Sequence, residues 1–520
     1  MQNISSLPPA DVPWSASLRA LAARFGDASA VSDGDARLSY AELCARAHAL
    51  SAGLAAQAVK PGESVATLLP NALPAVWASY GVTLSGAAET PLSWNSTEDE
   101  IAWCARLAGF RIVATLPERA KRLRALGLEP LVVDGVGKDD PGVTLPPAPA
   151  HARGRILFTS GTTGRPKGVV YTHERRWIAE QVLKAALPFT PSRGSRVILM
   201  TPFPHGASLL TFAWCDYGGE AILLDGVDTA RVLTLLRGGG IDAVFAPPTV
   251  LAKLAAAFGR ERFDGVRCVF TGTQPLTAPL YEKACAMFGP VVRVTYGKSE
   301  CFNPITVLDA PNAHAHFTTE RRAAGTCVGW SPPGVELEIR GERGRLHDAD
   351  AEGEVWLRAC HMSVGMIDAE GFKPHGPDGW HLTGDLGRID ARGRLWLTGR
   401  IADVIKTGGY RVNPDEIEAL LAGMHCCGQV CVTSLPSEYW GEIIVAAAET
   451  AAQGWDGEAT ARLAGLSRHK HPRAWLSIDA LPRNPQGKIS RRQLRELISA
   501  RYELSDGPYP ALTRKASLSS

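Results

Sequence analysis

The stretch ILFTSGTTGRPKGVV, residues 156–170, joins a short apolar run to a loop of glycines, hydroxyl residues and one lysine. Such a loop after a strand is typical of a polyphosphate site, because backbone amides, hydroxyls and an ammonium can surround the anion. It differs from a Walker A loop, since Pro166 and Gly168 flank the lysine. The alternative is a generic glycine-rich turn. The stretch predicts phosphate binding by Thr159, Ser160, Gly161, Thr162, Thr163, Gly164 and Lys167.

Short apolar runs and amphipathic helical segments alternate on both sides of this loop. Before it, the segment SYAELCARAHALSAGLAAQ alternates with runs such as SVATLLP and RIVATLP. After a link rich in proline and glycine at residues 140–152, the alternation resumes with RILFTS, RVILMT, AILLDG, DAVFAPP and RCVFTG. Strands that alternate with helices predict parallel sheets. We therefore expect two doubly wound α/β layers, the second beginning at RILFTS.

The pattern changes after residue 326 to short alternating segments, GVELEIRG, GEVWLRA and GRLWLTG, joined by glycine and aspartate turns. These segments predict a small antiparallel, β-barrel-like sheet. From Arg400 onward, a Gly-Gly turn, a helix that begins at Pro414 and further strand signals predict a separate unit. The predicted fold class is α/β: a large N-terminal domain of two doubly wound layers plus the small sheet, with a small mobile α+β C-terminal domain.

The composition excludes several classes of protein. Lys and Arg total 55 against 53 Asp and Glu in 520 residues, so no basic excess is present for a nucleic-acid backbone. The N-terminal residues lack a basic segment followed by an apolar one, and the most apolar stretch, residues 65–92, is interrupted by prolines, Asn71 and Glu89. We expect a cytoplasmic enzyme without a membrane span or a nucleic-acid partner; the sequence leaves monomer and homodimer open.

The 11 cysteines are scattered and form no CxxC pair, which predicts reduced thiols. His425, Cys426, Cys427 and Cys431 have residue types that bind metals. The surrounding QVCVTSL is typical of a buried strand in which cysteine is a small apolar residue. We favour the strand.

Five segments, in order along the chain, resemble motifs of the adenylate-forming superfamily, which includes acyl-CoA synthetases, peptide-synthetase adenylation domains and luciferases. They are TSGTTGRPKG in the loop, TYGKSE at residues 295–300, TGD at residues 383–385, GRIADVIKTGGYRVNPDEIE at residues 399–418 and PQGK at residues 485–488. One short motif can arise by chance, but five in order leave little room for coincidence.

The resemblance implies an ATP-dependent enzyme that activates a carboxylic acid as its acyl-AMP and passes the acyl group to a thiol. Its cofactors would be ATP, Mg²⁺ and coenzyme A. The implied domains are an N-terminal domain over residues 1–399, a hinge at residues 400–403 and a mobile C-terminal domain over residues 404–520.

The resemblance also implies roles that suit the chemistry of each side chain. Tyr296 has a flat face that can stack on adenine, and its alternative is a core aromatic. Glu300 is a carboxylate that suits a magnesium ion bridging ATP phosphates, and its alternative is a surface carboxylate. Asp385 can accept hydrogen bonds from a ribose diol, and its alternative is a turn-forming aspartate. The predicted nucleotide-binding set is completed by Gly297, Ser299, Arg400 and Arg411.

The last motif ends in Lys488, which the resemblance identifies as a catalytic cation for acyl-AMP formation; its alternative is a solvated lysine. In this family the C-terminal domain adopts a second pose for thioester formation. Lys406, Gly408 and Gly409 would then serve the thiol. Ala402 stands where the hinge residue is often aspartate, and Asp403 follows it, so the hinge centre stays open between these two.

The acid pocket is predicted from two segments. TPFPHGAS, residues 201–208, resembles the acid-binding motif and implies that His205 lies near the reacting carboxylate; the alternative is a hydrogen-bonded core histidine. TGTQPL, residues 271–276, carries Thr273 and Gln274 where many relatives have small residues, which predicts a narrow, polar pocket for an aryl or short acyl acid. Lys298 would face a polar or anionic group of the acid, or solvent. The predicted pocket comprises His205, Thr271, Gly272, Thr273, Gln274 and Lys298.

The sequence favours a carboxylic acid–CoA ligase over three alternatives. Amino-acid-activating modules of the family usually carry an aspartate near the start of the segment PHGASLL, and none stands there. A stand-alone enzyme that loads an acyl group onto the phosphopantetheine of a carrier protein remains the alternative, although no carrier-like module follows Lys488. A luciferase-like oxygenase would need photochemistry that no residue indicates. A non-catalytic binding protein is disfavoured by the complete set of ATP-facing residues.

Overall fold

The computed structural model describes residues 11–137, 142–159, 165–320, 325–483 and 488–515, apart from the side chain of His205. The helices are α1 (Trp14–Phe25), α2 (Tyr40–Ala56), α3 (Leu73–Leu84), α4 (Glu98–Ala108), α5 (Pro117–Ala125), α6 (His173–Ala185), α7 (Ser208–Cys215), α8 (Thr229–Arg237), α9 (Pro248–Phe258), α10 (Ala278–Phe288), α11 (Ala310–Thr319), α12 (Pro414–Leu421), α13 (Trp455–Arg462) and α14 (Arg491–Arg501).

The strands of the larger, N-terminal part are β1 (Ser29–Ser32), β2 (Arg37–Ser39), β3 (Ser64–Leu68), β4 (Ala88–Leu92), β5 (Ile112–Thr115), β6 (Glu129–Val132), β7 (Arg153–Thr159), β8 (Lys167–Thr172), β9 (Arg196–Leu199), β10 (Glu220–Leu223), β11 (Ala243–Phe245), β12 (Cys268–Gly272), β13 (Val292–Lys298), β14 (Cys301–Leu308), β15 (Thr326–Gly329), β16 (Val335–Gly341), β17 (Gly344–Arg345), β18 (Gly353–Ala359), β19 (Gly365–Asp368), β20 (Gly371–Pro374), β21 (His381–Ile389) and β22 (Leu395–Arg400). Those of the smaller part are β23 (Ile405–Thr407), β24 (Tyr410–Val412), β25 (Val430–Ser437), β26 (Gly441–Glu449), β27 (Ala474–Ile478), β28 (Tyr502–Ser505) and β29 (Ala511–Arg514).

The first sheet has the strand order β20-β19-β8-β7-β4-β3-β5-β6. Its central strands β3 and β4 are buried along their whole length, as expected for parallel strands covered by helices on both faces. The run RILFTS, expected to open the second layer, instead forms β7 and pairs with β4 in this sheet. The hairpin β19–β20 also joins it through β8, since an alternating pattern alone does not say which sheet edge a hairpin extends.

The second sheet has the order β14-β13-β12-β11-β9-β10-β1-β2, and its core strands run parallel. Strand β1 lies beside β10, so the chain visits this sheet before it builds the first one. Helices α2 and α3 pack between the two sheets, and one apolar cluster contains residues of both, such as Val65 of β3 and Val197 of β9. A capping box of Ser39 and Glu42 begins α2.

The third sheet is antiparallel, in the order β15-β22-β21-β18-β16-β17. Its strands β16, β18 and β22 are formed by the predicted alternating segments. The 3₁₀ turn Ile401–Asp403 then leads into the smaller C-terminal part, where α12 and α14 pack on the sheet formed by β23 to β27.

QVCVTSL forms β25 with Cys431 buried, as predicted. Among the described residues, no cluster of three histidine, cysteine or acidic side chains is arranged to hold a metal. None of their helices is both long enough and apolar enough to cross a bilayer.

A buried ion cluster fixes helix α6 to the first sheet. Glu89 of β4 is fully buried, and its Oε2 lies 3.7 Å from Arg155 Nε of β7 and 3.6 Å from Arg176 Nη1 of α6. Burial lowers the pKa of Arg155 to about 10, partly offset by the charge of Glu89. Removing one partner of such a cluster leaves a charge without compensation in a medium of low polarity.

We expect Glu89→Gln to lower the free energy of unfolding by about 3–5 kcal/mol, because Arg155 and Arg176 would lose their shared carboxylate. Urea denaturation of the two proteins measures the difference. Glu129→Gln is the matched control, since Glu129 and its partner Arg111 are 58% and 50% exposed and such pairs contribute about 0–1 kcal/mol. Equal losses in the two variants would contradict a stabilising role for the buried cluster.

Candidate active site

The three sheets of the N-terminal part meet near the ends of β7, β13 and β21. Tyr171 of β8 stacks on Phe302 of β14 with ring centroids 4.1 Å apart and planes 3° apart. The Tyr171 hydroxyl donates a 2.7 Å hydrogen bond to the carbonyl of Ser299. The first sheet therefore positions the turn between β13 and β14, which holds Ser299 and Glu300, the last two residues of the segment TYGKSE.

Asp385 is the centre of this junction. Its carboxylate is 8% exposed and accepts a 2.5 Å hydrogen bond from the Tyr296 hydroxyl at Oδ2. Lys298 Nζ lies 3.3 Å from the same oxygen, and Arg400 Nε lies 3.4 Å from Oδ1. Burial and the neighbouring Asp385 charge raise the pKa of Tyr296 well above its ordinary value, so its phenol stays a neutral donor. The residues predicted from TYGKSE, TGD and the start of the hinge thus share one carboxylate.

Lys488 reaches the same place from the smaller part of the chain. Its side chain is half-buried, and burial is the largest cause that lowers its pKa to about 8. The positive charges of Arg400 and Lys298 lower that pKa further, while Asp385 raises it. Lys488 therefore lies within electrostatic range of Arg400, Lys298 and Asp385.

Glu300 follows in the same loop, and its backbone carbonyl accepts a 2.9 Å hydrogen bond from the amide of Ser363. The charge of Glu300 acts on two histidines, His375 and His381. Burial lowers the pKa of His375 to about 4 and also lowers the pKa of His381, and the Glu300 carboxylate offsets part of this lowering in each. Magnesium commonly takes one or two protein carboxylates and completes its shell with substrate phosphates and water. A single carboxylate beside a phosphate site fits that mode of binding.

The phosphate loop is described at its two ends. Thr159, the last residue of β7, pairs with Lys167, the first residue of β8. Lys167 Nζ lies 3.8 Å from Asp368 Oδ2 of the β19–β20 hairpin, and Trp103 of α4 donates a 2.9 Å hydrogen bond to the carbonyl of Pro166. The predicted ligands between these ends, Ser160, Gly161, Thr162, Thr163 and Gly164, lie outside the described residues.

Strand β12 ends in the segment TGTQPL, where the second sheet faces the junction. A Cβ on Gly272 would lie 2.3 Å from the Thr295 carbonyl of β13, so only glycine fits there. Thr271 is buried, Gln274 is half-buried, and Thr273 is exposed with φ of +70°. A positive φ is unusual for a β-branched residue.

Two other residues predicted for the acid pocket, His205 and Lys298, show no described contact with the segment TGTQPL. His205 belongs to the π-helical turn Phe203–Ala207, and its side chain lies outside the described part. Lys298, predicted for the acid pocket, is paired with Asp385 instead of with a residue of TGTQPL. A Cβ on Gly297 would come within 2.7 Å of Asn303 Oδ1, so this glycine permits β13 and β14 to approach.

The residues predicted for the thioester pose lie apart from this group. Lys406, Gly408 and Gly409 are exposed on the β23–β24 hairpin, and so is Arg411, which was predicted to bind the nucleotide. Gly408 packs near Trp440 of the same C-terminal part, and its amide donates a 2.8 Å hydrogen bond to the Trp440 carbonyl. In this arrangement Lys488, and not the hairpin, faces Asp385.

Sequence reasoning missed four residues of the junction: Tyr171, Phe302, His375 and His381. Tyr171 could have been suspected from its place at the end of the motif strand. Nothing in the residue pattern distinguishes the two histidines from surface histidines, because their closeness to Glu300 depends on how the third sheet meets the second.

Comparison with known proteins agrees with this geometry. A sequence model of the family described as AMP-binding enzyme matches residues 18–366. A long-chain-fatty-acid–CoA ligase, FadD13, from Mycobacterium tuberculosis is 28% identical over 485 residues, covering 90% of this chain and 94% of the relative. A 2-succinylbenzoate–CoA ligase from Geobacillus sp. is 27% identical over 491 residues, with 90% and 94% covered.

The solved structure of o-succinylbenzoate CoA synthetase (MenE) from Bacillus subtilis, in complex with its acyl-adenylate intermediate, has the same fold. It superposes with a TM-score of 0.80 at 24% identity, covering 92% of this chain and 97% of the other. The predicted fold class, with a large N-terminal and a small C-terminal domain, is confirmed. The match of the family model over most of the chain, together with the residues gathered around Asp385, shows that the chain belongs to the AMP-binding enzyme family.

Proposed function

We propose that the protein is an ATP-dependent carboxylic acid–CoA ligase. In the first step, a carboxylate oxygen attacks the α-phosphorus of ATP, forming acyl-AMP and releasing pyrophosphate. In the second, the CoA thiol takes the acyl group and AMP leaves. The observation that carries this proposal is the gathering of Tyr296, Lys298 and Arg400 on the buried carboxylate of Asp385, because it brings residues of three separate motifs to a predicted ribose site.

Each residue around Asp385 suits one part of the first step. Asp385 would accept hydrogen bonds from the ribose hydroxyls, and Tyr296 would offer its ring face to adenine. Lys167 and the loop of residues 159–164 would bind the outer phosphates. Lys488 would stabilise the charge that grows on the oxygens around the α-phosphorus. Magnesium held by Glu300 and the phosphates would supply further charge neutralisation.

We further propose the domain division at residues 400–403. Arg400 is bound to Asp385 of the N-terminal part, whereas Asp403 Oδ2 accepts a 2.7 Å hydrogen bond from Arg491 Nη1 of α14. Arg491 also binds Glu418 of α12 at 2.7 Å and contacts Asp415. Asp403 is thereby attached to the C-terminal domain, which favours Ala402 over Asp403 as the hinge centre.

The acid is proposed to be an aryl or short acyl acid. The support is the segment TGTQPL, in which Thr273 and Gln274 replace smaller residues, and the relatives named for 2-succinylbenzoate, an aryl acid. The relative named for long-chain fatty acids represents the competing class. A carrier-protein phosphopantetheine is the alternative acceptor, and the proposed location is cytoplasmic.

The reaction is tested by ATP–pyrophosphate exchange with a panel of aryl, short acyl and long-chain acids. The acids that support exchange are then offered with CoA or with a phosphopantetheinylated carrier protein. We expect exchange with an aryl or short acid and thioester formation with CoA. Transfer only to the carrier protein would favour the alternative, and exchange only with long-chain acids would contradict the proposed acid class.

We expect Lys488→Ala to lower the rate of acyl-AMP formation by roughly 100-fold or more, because a preorganised donor to the transition state is lost. The variant should still convert supplied acyl-AMP and CoA to thioester, because the rotation that admits the thiol carries Lys488 away. Arg492→Ala is the neighbouring control, as Arg492 is exposed and pairs only loosely with Glu496 on α14. Equal loss of both half-reactions in folded Lys488→Ala would contradict the two-pose assignment.

The lowered pKa of Lys488 predicts a limit at alkaline pH. The protonated ammonium is the active form, so kcat/KM for ATP should fall as pH rises through about 8, the pKa of Lys488 in the free enzyme. Lys488→Arg should remove this limb, because a guanidinium stays charged throughout the range. A wild-type profile that stays flat well above pH 8 would argue against Lys488 as the required cation.

Thr273→Gly is expected to widen the range of acids accepted without loss of stability. Removing the side chain opens the segment TGTQPL, and glycine adopts the positive φ at this position without strain. The acid panel and a thermal unfolding curve measure the two effects. Thr318→Gly, on the exposed face of α11, should leave the panel unchanged but cost about 0.5–1 kcal/mol. An identical acid profile in Thr273→Gly would remove Thr273 from the pocket.

A further inference from the structure

Lys298 is placed differently from a surface lysine. It ends strand β13, two residues before Glu300, and its side chain is only 16% exposed. Its ammonium lies 3.3 Å from Asp385 Oδ2, on the oxygen that also accepts the Tyr296 hydroxyl. The motif position that it occupies is variable in the family, so the resemblance assigns no nucleotide role to this residue.

The charges around Asp385 do not balance. Two cations, Lys298 and Arg400, lie within 3.4 Å of this one carboxylate, the charge of Lys488 acts on all three groups, and the Tyr296 phenol is neutral. Cations in a partly buried site are costly unless opposite charge compensates them. The arrangement is therefore suited to receive an anion, and a nucleotide phosphate next to the ribose would supply it.

Lys298 differs from Lys488 in the part of the chain that carries it. Lys298 lies on β13 of the second sheet, and β13 pairs with β12. Tyr171 of the first sheet holds the carbonyl of the next residue, Ser299. Lys488 belongs to the C-terminal domain, which is proposed to rotate. A cation on β13 therefore stays beside the nucleotide in both poses.

We propose that Lys298 is a second catalytic cation that binds the α-phosphate of the nucleotide in both half-reactions. The inference rests on the proposed ligase function. An ammonium has three donors on a flexible stem, so Lys298 can keep its contact with Asp385 and direct another donor to phosphate.

The chemistry of each step gives this cation a task. In the first step an acid oxygen forms a bond to the α-phosphorus while the bond to the bridging oxygen breaks, and pyrophosphate leaves with the electron pair. In the second, a C–S bond forms and the acyl C–O bond breaks. That electron pair passes to the AMP phosphate, which gains one negative charge, and the thiol proton goes to water. Lys298 would stabilise the phosphate charge in each transition state.

The test compares Lys298→Met, Lys298→Arg and Lys488→Met in the full-length chain. Single-turnover measurements follow acyl-AMP formation and, separately, thioester formation from supplied acyl-AMP. We expect Lys298→Met to slow both half-reactions by roughly 10- to 100-fold, whereas Lys488→Met slows only the first. Lys298→Arg should retain most of both rates because it keeps the positive charge.

Two further readouts complement the half-reaction rates, and the first of them needs no turnover. Calorimetric titration with AMP should show weaker binding to Lys298→Met than to the wild type and to Lys298→Arg. The alkaline limb of the ATP profile should also move to higher pH in Lys298→Met. The charge of Lys298 lowers the pKa of Lys488, while Arg400 and Asp385, the other charges acting on Lys488, are unchanged.

Several outcomes would overturn the proposal. A loss confined to the first half-reaction, a change only in the KM for the acid, or unchanged rates would each exclude a phosphate role in both steps. If the wild type activated no acid, the ligase function would fail. AMP affinity would still decide the role of Lys298, since equal affinities of the wild type and Lys298→Met would reject it.

Discussion

A single buried carboxylate organises this molecule. Asp385 holds a tyrosine hydroxyl and a lysine of β13 and an arginine at the end of β22, and the charge of a third cation, Lys488 of the C-terminal domain, also acts there. Because the carboxylate is mostly removed from water, its attraction for these groups is screened far less than at the surface. This carboxylate consequently holds the end of β13, the middle of β21 and the end of β22 together.

The sequence predicted much of this site because short motifs carry their residues in a fixed order. The strand after the phosphate loop contacts the TYGKSE segment, which in turn contacts the TGD segment. The roles assigned to the individual residues stay predictions until they are tested by substitution. The position of Lys298 beside Asp385 could not be read from TYGKSE, since the direction of its side chain depends on the bulge between β13 and β14.

Other features escaped sequence reasoning because they depend on long-range pairing. Residues 153–159 looked like the start of a second layer, but they close the first sheet, and residues 29–32 contribute an early strand to the second. Apolar periodicity identifies a strand without identifying its neighbour. The stacking of Tyr171 on Phe302 and the closeness of two histidines to Glu300 likewise depend on how separate sheets meet.

The short link between the two anchors restricts how the C-terminal domain can travel. Arg400 is held by Asp385 and Asp403 by Arg491, so only Ile401 and Ala402 lie between attached residues. The three residue steps from Arg400 to Asp403 span at most about 11 Å, which limits how far the domain could translate while it turns. In the proposed rotation the domain would pivot at this link, so the position of Lys488 would depend mainly on the rotation angle. An insertion of one residue into that link would weaken the constraint on the pivot. Lys488 would then occupy a range of positions several ångströms wide, although every catalytic group would still be present.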